Sequence, residues 1–197
     1  MTTVKNVLEE VIALPYLPWI AGVLLLLLLW LAYRVFGRRK SKLSQILDTI
    51  SFDRVRDLVL PNGDDGEILI DRLLLTSQGL LILEIKEVQG TVFGSNKMQD
   101  WTVIASPRRY TFPNPQPGLY DRLAAVREVV RQIPVEGRIL FLDGAEFPKG
   151  VPDLVVTLDE LARDFGEQNS KSAQAKIDAF MPHWQAVKKG MLTASSE

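Results

Sequence analysis

The longest apolar stretch of the chain lies near its start. No charged residue occurs from Val11 to Tyr33, a run of 23 positions that includes six consecutive leucines at 24–29. A bilayer core about 30 Å thick needs a helix of roughly 20 apolar residues. Because proline suits the first turn of a helix, the pattern predicts a membrane-spanning helix over residues 18–36. A cleaved signal peptide or a buried core helix fits less well, since a basic segment follows the run instead of a small-residue cleavage site.

Positive charge collects directly after this apolar run. Five basic residues within nine positions are expected to contact anionic lipid headgroups, or to help collect a polyanionic substrate. Basic segments beside a spanning helix stay in the cytoplasm. We therefore expect a single-pass protein of the cell (inner) membrane, with residues 1–17 outside and the soluble domain cytoplasmic. The five residues, here called the basic cluster, are Arg34, Arg38, Arg39, Lys40 and Lys42.

The pattern beyond the basic cluster predicts one α/β domain with a mixed β-sheet flanked by helices. We divide it into a basic juxtamembrane segment with a first helix (37–52), the α/β domain (53–166) and a C-terminal helical segment (167–197). Apolar runs and alternation predict the strands, and helical spacing predicts the helices. The predicted strands are 54–60, 67–75, 80–87, 90–93, 99–105, 138–142 and 154–156. The predicted helices are 41–50, 119–132, one after the capping box at 157–160, and 172–189 with a break near Pro182. Residues 61–66 are a predicted turn and 106–118 a predicted proline-rich loop.

The amino-acid composition limits which reactive groups and metal ligands the protein can use. The chain has no cysteine and one histidine, so disulfides, thiolate-bound metals, thiol nucleophiles and multi-histidine metal sites are excluded. The net charge of −1 conceals an asymmetry, because residues 43–197 hold 17 Lys and Arg against 22 Asp and Glu. The soluble part is therefore acidic, which argues against a wholly basic nucleic-acid surface. Carboxylates and lysines remain as the candidate reactive groups.

Charged residues interrupt the two most apolar strands. If the hairpin folds about Thr76–Gly79, Leu75 pairs with Leu80 and the same register places Asp71 opposite Glu84. Opposed residues share a face with Cβ atoms about 5 Å apart, and Lys86 lies two positions from Glu84 on that face. Two opposed carboxylates require a divalent cation, a shared proton or a basic partner.

These residues suit hydrolysis of a phosphodiester with Mg²⁺ or Mn²⁺. A hard cation takes oxygen ligands such as Asp71 and Glu84 and keeps waters. Lys86 would hold or deprotonate the attacking water. An alternative remains open, in which Glu84, Lys86 and Arg72 form solvent-exposed ion pairs on an edge hairpin. A register slip of one residue would also move Asp71 to the other face.

The order and spacing of several short motifs between Asp53 and about Val130 resemble the nuclease-related domain (NERD) family. That family is similar in its core to restriction-endonuclease-like PD-(D/E)xK enzymes. The resemblance implies that Asp71, Glu84 and the carbonyl of Ile85 hold the metal and that Lys86 is the catalytic lysine. Members with an N-terminal membrane anchor are familiar in that family, so the resemblance is also consistent with the predicted spanning helix. The motifs are Leu60-Pro61, Ile70-Asp71-Arg72, Gly79, Ile82-Leu83-Glu84-Ile85-Lys86, Gly90, Gly94-Ser95, Trp101 and Asn114-Pro115.

Three positions depart from the family pattern. The first helix has no acid over residues 42–46, Gly118 replaces a glutamine, and Arg72 replaces a histidine. Two hypotheses follow. In the first, the chain is a membrane-anchored nuclease acting on DNA or RNA. In the second, it is a catalytically silent, membrane-tethered module of the same fold that binds nucleic acid or a protein partner.

Overall fold

The computed structural model describes residues 17–62, 66–166 and 170–194. Helices and strands, numbered in chain order, have the following bounds: α1 (Leu17–Ile50), β1 (Asp53–Asn62), β2 (Gly66–Thr76), β3 (Gly79–Lys86), β4 (Gly90–Phe93), β5 (Asp100–Ala105), β6 (Arg108–Pro113), α2 (Pro115–Val129), β7 (Val135–Phe141), β8 (Ala145–Glu146), β9 (Val155–Val156), α3 (Leu158–Phe165) and α4 (Lys171–Ala194). The chain separates into two units at Ser44 and Gln45.

The helix α1 is continuous, so the prediction of two separate helices at 18–36 and 41–50 was wrong. Residues 38–42 are arginine, lysine and serine, which a helix accommodates, and the single Gly37 does not interrupt it. Leucines 24–27 and 29 are 57–67% exposed. Within the part of the chain that the structure describes, no helix has the length and apolar character needed to cross a bilayer. The predicted spanning helix at 18–36 is thus not shown by the structure and stays a prediction.

Some predicted positions lie outside the described residues. These are 1–16 of the predicted outer segment, 63–65 of the predicted turn, and 167–169 and 195–197 of the predicted C-terminal segment. Of the basic cluster, Lys42 alone has a described side chain, and it is exposed.

Two mixed sheets form the second unit, where one was predicted. The first sheet has the order β1-β2-β3-β7-β9, with antiparallel pairs as far as β3 and parallel pairs beyond it. The second has the order β6-β5-β4-β8. The chain leaves the first sheet after Lys86 and enters the second at Gly90, whose φ of +117° favours glycine. Helices flank the sheets as predicted, so the α/β class is confirmed.

Trp101 of the second sheet connects the two sheets. Its side chain is fully buried, stacks on Phe141 of β7 at 6.2 Å between ring centroids, and meets Phe112 and Phe147 edge-on. Gly94 lies directly against the indole, leaving no room for a Cβ. Trp101 is therefore a packing residue of the core, and its buried ring is not accessible for stacking on a base.

The proline-rich segment 106–118 is not the loop that the sequence predicts. It contains β6, which pairs with β5, and the first turn of α2. Pro113 ends the strand and Pro115 opens the helix, positions at which a missing N–H costs little. The Asn114 side chain caps α2 by accepting from the Gln116 backbone N–H at 2.9 Å.

The last two helices begin as predicted. The capping box at the start of α3 is confirmed, because Thr157 and Glu160 exchange hydrogen bonds that also lower the pKa of Glu160. The predicted break at Pro182 is wrong, since α4 continues through it. Burial of Trp184 and its neighbours along the helix offsets the hydrogen bond that proline removes.

A carboxylate at the start of β1 anchors α4. Asp53 Oδ2 accepts hydrogen bonds from Trp184 Nε1 at 2.8 Å and Lys188 Nζ at 3.1 Å. Burial acts to raise the pKa of Asp53, but the hydrogen bonds from Trp184 and Lys188 outweigh it, and the pKa lies below its ordinary value. The contact ties the C-terminal helix to the edge strand of the first sheet.

Candidate active site

The β2–β3 turn fixes the register of the hairpin that carries the predicted site. Thr76 pairs with Gly79, and the Thr76 hydroxyl donates to the Gly79 carbonyl at 2.9 Å. Gly79 has φ +129°, and a Cβ there would clash with the carbonyl oxygen of Pro134. The neighbouring Leu80 N–H donates to that same oxygen. Only glycine therefore allows this turn to dock against the segment that leads into β7.

The hairpin follows the predicted register for three leucine and isoleucine pairs and then opens. Pairing ends at Leu73 and Ile82, so Asp71 and Glu84 do not form the cross-strand backbone pair that the sequence predicts. The Asp71 carboxylate reaches across the opening, where Oδ2 accepts the backbone N–H of Ile85 at 3.1 Å. A side chain thus satisfies a strand donor that the ladder leaves unpaired.

Glu84 contacts two cations. Its Oε1 lies 2.7 Å from Lys86 Nζ, and its Oε2 lies 3.4 Å from Arg122 Nη1 on α2. The Glu84 side chain is 14% exposed, so these partners offset the cost of removing most of the carboxylate from water. Arg122 is itself fixed by a second bond, from its Nε to the carbonyl of Leu69 at 2.7 Å.

One pocket brings the predicted residues together. Its volume is about 220 Å³, and Asp71, Glu84, Ile85 and Lys86 line it together with Arg122. The side chains of Asp71 and Lys86 are 41% and 31% exposed, so both groups reach solvent. A pocket lined by two carboxylates, a lysine and an arginine can hold a cation, a phosphate group, or both.

A family model described as the nuclease-related domain (NERD) matches residues 38–142, just over half of the chain. The chain belongs to the NERD family. No curated protein and no solved structure matches it. The resemblance read from the short motifs is thereby confirmed at the level of the family, and the restriction-endonuclease-like core stays a prediction.

Arg122 is the pocket residue of this NERD domain that the sequence reasoning missed. It lies three positions after Leu119 and four before Val126, both of which are buried on α2. An arginine at that spacing falls within the apolar stripe that faces the sheet. A charged residue inside a buried stripe is the signal that could have identified it.

Arg72, in the place of the family's histidine, does not line the pocket. Its Nε lies 3.8 Å from Asp71 Oδ1, within ion-pair range but too far for a hydrogen bond, and has no hydrogen-bond partner among the described residues. Burial is the main cause that lowers the pKa of Arg72, while Asp71 acts in the opposite direction. Arg56 pairs with Arg72 across β1 and β2 and adds to the lowering.

The other two departures are the missing acid of the first helix and the missing glutamine at position 118, and no nearby acid or amide takes the place of either. Asp48, the first acid of the segment that follows residue 42, forms an ion pair with Arg54 at 2.6 Å. Gln116 is buried away from the pocket, where its Nε2 donates to Asn96 and to the carbonyl of Asp153. The charged residues that line the pocket are Asp71, Glu84, Lys86 and Arg122.

The donor set of this NERD site fits a hard divalent cation with few protein ligands. Asp71 keeps one carboxylate oxygen outside its bond to Ile85, and Glu84 supplies the second carboxylate. Mg²⁺ is commonly bound by one or two carboxylates, with waters and substrate phosphate completing its shell. Among residues 17–62, 66–166 and 170–194, no three His, Cys, Asp or Glu side chains gather as a metal site. Water and substrate would therefore supply most of the ligands.

Proposed function

We propose that this NERD domain hydrolyses phosphodiester bonds of DNA or RNA with Mg²⁺ or Mn²⁺. The observation that carries the proposal is that Asp71, Glu84 and Lys86 line the same pocket. Family membership supports a nuclease-related role, and the oxygen-only donor set suits the metal. The carbonyl of Ile85 is proposed as a further ligand, by resemblance to PD-(D/E)xK enzymes.

The proposed roles follow from where each side chain lies. Asp71 and Glu84 hold the cation, which supplies polarisation of the phosphoryl group and a more acidic water. Lys86 Nζ, beside Glu84 Oε1, hydrogen-bonds the attacking water, and it either accepts the proton of that water or offsets the negative charge that develops. Glu84 orients that lysine, whose partial exposure leaves it open to the attacking water.

A cleavage assay tests the proposal directly. The full-length chain, purified in mild detergent, is incubated with DNA and RNA with Mg²⁺, with Mn²⁺, or with a chelator. We expect cleavage with either metal and none with the chelator. Glu84→Gln should abolish cleavage, because the amide cannot supply a charged ligand. Glu87→Gln, which changes an exposed acid directly after β3, should leave cleavage intact. Cleavage that survives Glu84→Gln would contradict the proposal.

One observation favours the second candidate, a catalytically silent module that binds nucleic acid or a protein partner. Both oxygens of Glu84 already contact cations, Lys86 and Arg122, which can satisfy the carboxylate without a metal. Titration calorimetry separates the candidates. Heat of binding for Mn²⁺ at millimolar concentration, lost in Glu84→Gln, supports the nuclease, and its absence in the unaltered chain supports the silent module.

We also propose that residues 18–36 anchor the chain in the cell membrane, with the basic cluster and the soluble domain on the cytoplasmic side. The support is the 23-residue uncharged run and the exposure of the described leucines.

The absence of cysteine allows a simple test with single cysteines. Thr3→Cys should react with a membrane-impermeant maleimide on intact cells, and Ala175→Cys only after permeabilisation. The reverse pattern would contradict the orientation, and release of the chain by alkaline carbonate would contradict the anchor.

A further inference from the structure

Arg122 is held at the pocket by two strands at once. Its Nε bonds the Leu69 carbonyl of β2, and its Nη1 lies 3.4 Å from Glu84 Oε2 of β3. The Arg122 side chain is 28% exposed and lines the pocket. It is therefore a fixed positive charge at the position where the proposed metal and substrate would meet.

Gly118 leaves the space that Arg122 uses. The two residues are one turn apart on α2, and a Cβ at position 118 would lie 3.0 Å from Arg122 Nη1. Such a contact is tighter than usual, so a methyl group there would shift the guanidinium by a few tenths of an ångström. Gly118 thus leaves the guanidinium unhindered in its position beside Glu84.

A cation at Asp71 and Glu84 has to compete with this contact. Of the two Glu84 partners, Lys86 at 2.7 Å is close and Arg122 at 3.4 Å is distant, so the Arg122 contact is the weaker. Once released from Glu84, the guanidinium would remain beside a divalent cation, and like charges at that separation repel. An anion that accepts hydrogen bonds from the released N–H groups offsets this repulsion between the guanidinium and the cation. Phosphate matches the guanidinium geometry.

We propose that Arg122 couples metal binding to phosphodiester binding. The proposal rests on the proposed function. Without substrate, Arg122 occupies Glu84 and weakens the affinity of the site for the cation. When a phosphodiester enters, Arg122 transfers from Glu84 to a phosphate oxygen, and the freed carboxylate oxygen binds the metal. Because coupling between two ligands is reciprocal, the metal also tightens phosphodiester binding by the same factor. Arg122 is thus both a substrate-binding residue and the switch that favours joint loading.

The test measures Mn²⁺ affinity of the full-length chain in detergent by titration calorimetry, with and without dimethyl phosphate, the simplest phosphodiester. In the unaltered chain, dimethyl phosphate should tighten Mn²⁺ binding about 5-fold, at the low end of typical couplings. Arg122→Gln should bind Mn²⁺ about 5-fold tighter than the unaltered chain when no phosphodiester is present, and dimethyl phosphate should no longer change that affinity.

Two further variants exclude a merely structural explanation. Gly118→Ala should also tighten Mn²⁺ binding without phosphodiester, but by less than Arg122→Gln, because the new methyl group only shifts the guanidinium beside Glu84 while alanine favours the helix. Arg127→Gln is the matched control: it lies on the same helix, bonds the Val135 carbonyl, and should leave both affinities unchanged.

The outcomes separate this inference from the proposed function. Equal or weaker Mn²⁺ binding by Arg122→Gln, with binding intact in the unaltered chain, overturns the coupling and leaves the nuclease proposal standing. If neither the unaltered chain nor Arg122→Gln binds Mn²⁺ in any condition, the metal site and the coupling are both refuted.

Discussion

Lys86→Ala is expected to lower the rate of metal-dependent cleavage by about 10²–10⁴-fold, the usual contribution of a positioned acid–base group. Lys86 Nζ lies 2.7 Å from Glu84 Oε1 at the edge of the pocket, so its removal takes away the group that is proposed to hold the attacking water. The comparison is made by single-turnover cleavage of one labelled substrate at saturating Mg²⁺. Saturation with metal separates a loss of chemistry from a loss of metal.

Two variants make this result specific. Lys176→Ala removes an exposed lysine of α4, away from the pocket lining, and should leave the rate unchanged. Lys86→Arg keeps the positive charge but cannot release its proton at neutral pH. Recovery of most activity by Lys86→Arg would show that the charge is what matters, and no recovery would show that proton transfer is needed. A wild-type rate for Lys86→Ala would remove Lys86 from the mechanism.

Trp101→Ala should lower the free energy of unfolding by about 3–5 kcal/mol, the range found when a buried large aromatic is truncated. The indole is fully buried and contacts Phe112, Phe141 and Phe147, so the cavity would open between the two sheets. Urea unfolding, followed by circular dichroism, measures the change. An exposed aromatic serves as the matched control.

Tyr120 provides that control because its side chain is 53% exposed on α2. Tyr120→Ala should change the free energy of unfolding by no more than about 0.5 kcal/mol, as surface substitutions usually do. A loss below about 1 kcal/mol for Trp101→Ala would mean that the sheets do not depend on this ring. It would also contradict the interpretation of Trp101 as the connection between them.

The central hairpin could be predicted because its pattern is local. The apolar runs of β2 and β3, with a four-residue turn that ends in Gly79, fix a register that the structure confirms for Leu73, Leu74 and Leu75. Turn length and glycine determine pairing over a few residues, and the buried faces oppose a slip. The gathering of Asp71, Glu84 and Lys86 at one pocket followed from the same pattern.

Other features could not be read from local pattern. The second sheet joins Gly90 to Ala145 across more than fifty residues, and strands of two to six residues carry little periodicity. The opening of the hairpin beyond Leu73 depends on a bond from the Ile85 backbone to a side chain, which alternation does not encode. Arg122 reaches Glu84 from a helix 38 positions away, so only its place in an apolar stripe hinted at it.

The bond between Asp71 and the Ile85 backbone N–H has a consequence for how such domains diverge. The carboxylate completes the strand pairing whether or not a reaction takes place, so a descendant that abandons catalysis still loses a structural bond if it changes Asp71. Glu84 and Lys86 carry no backbone bond of this kind in the described contacts, and their ion pair can be lost or replaced together without leaving a strand donor unpaired. Retention of the aspartate alone is therefore a poor sign of activity in a relative, and the joint presence of all three is the better one.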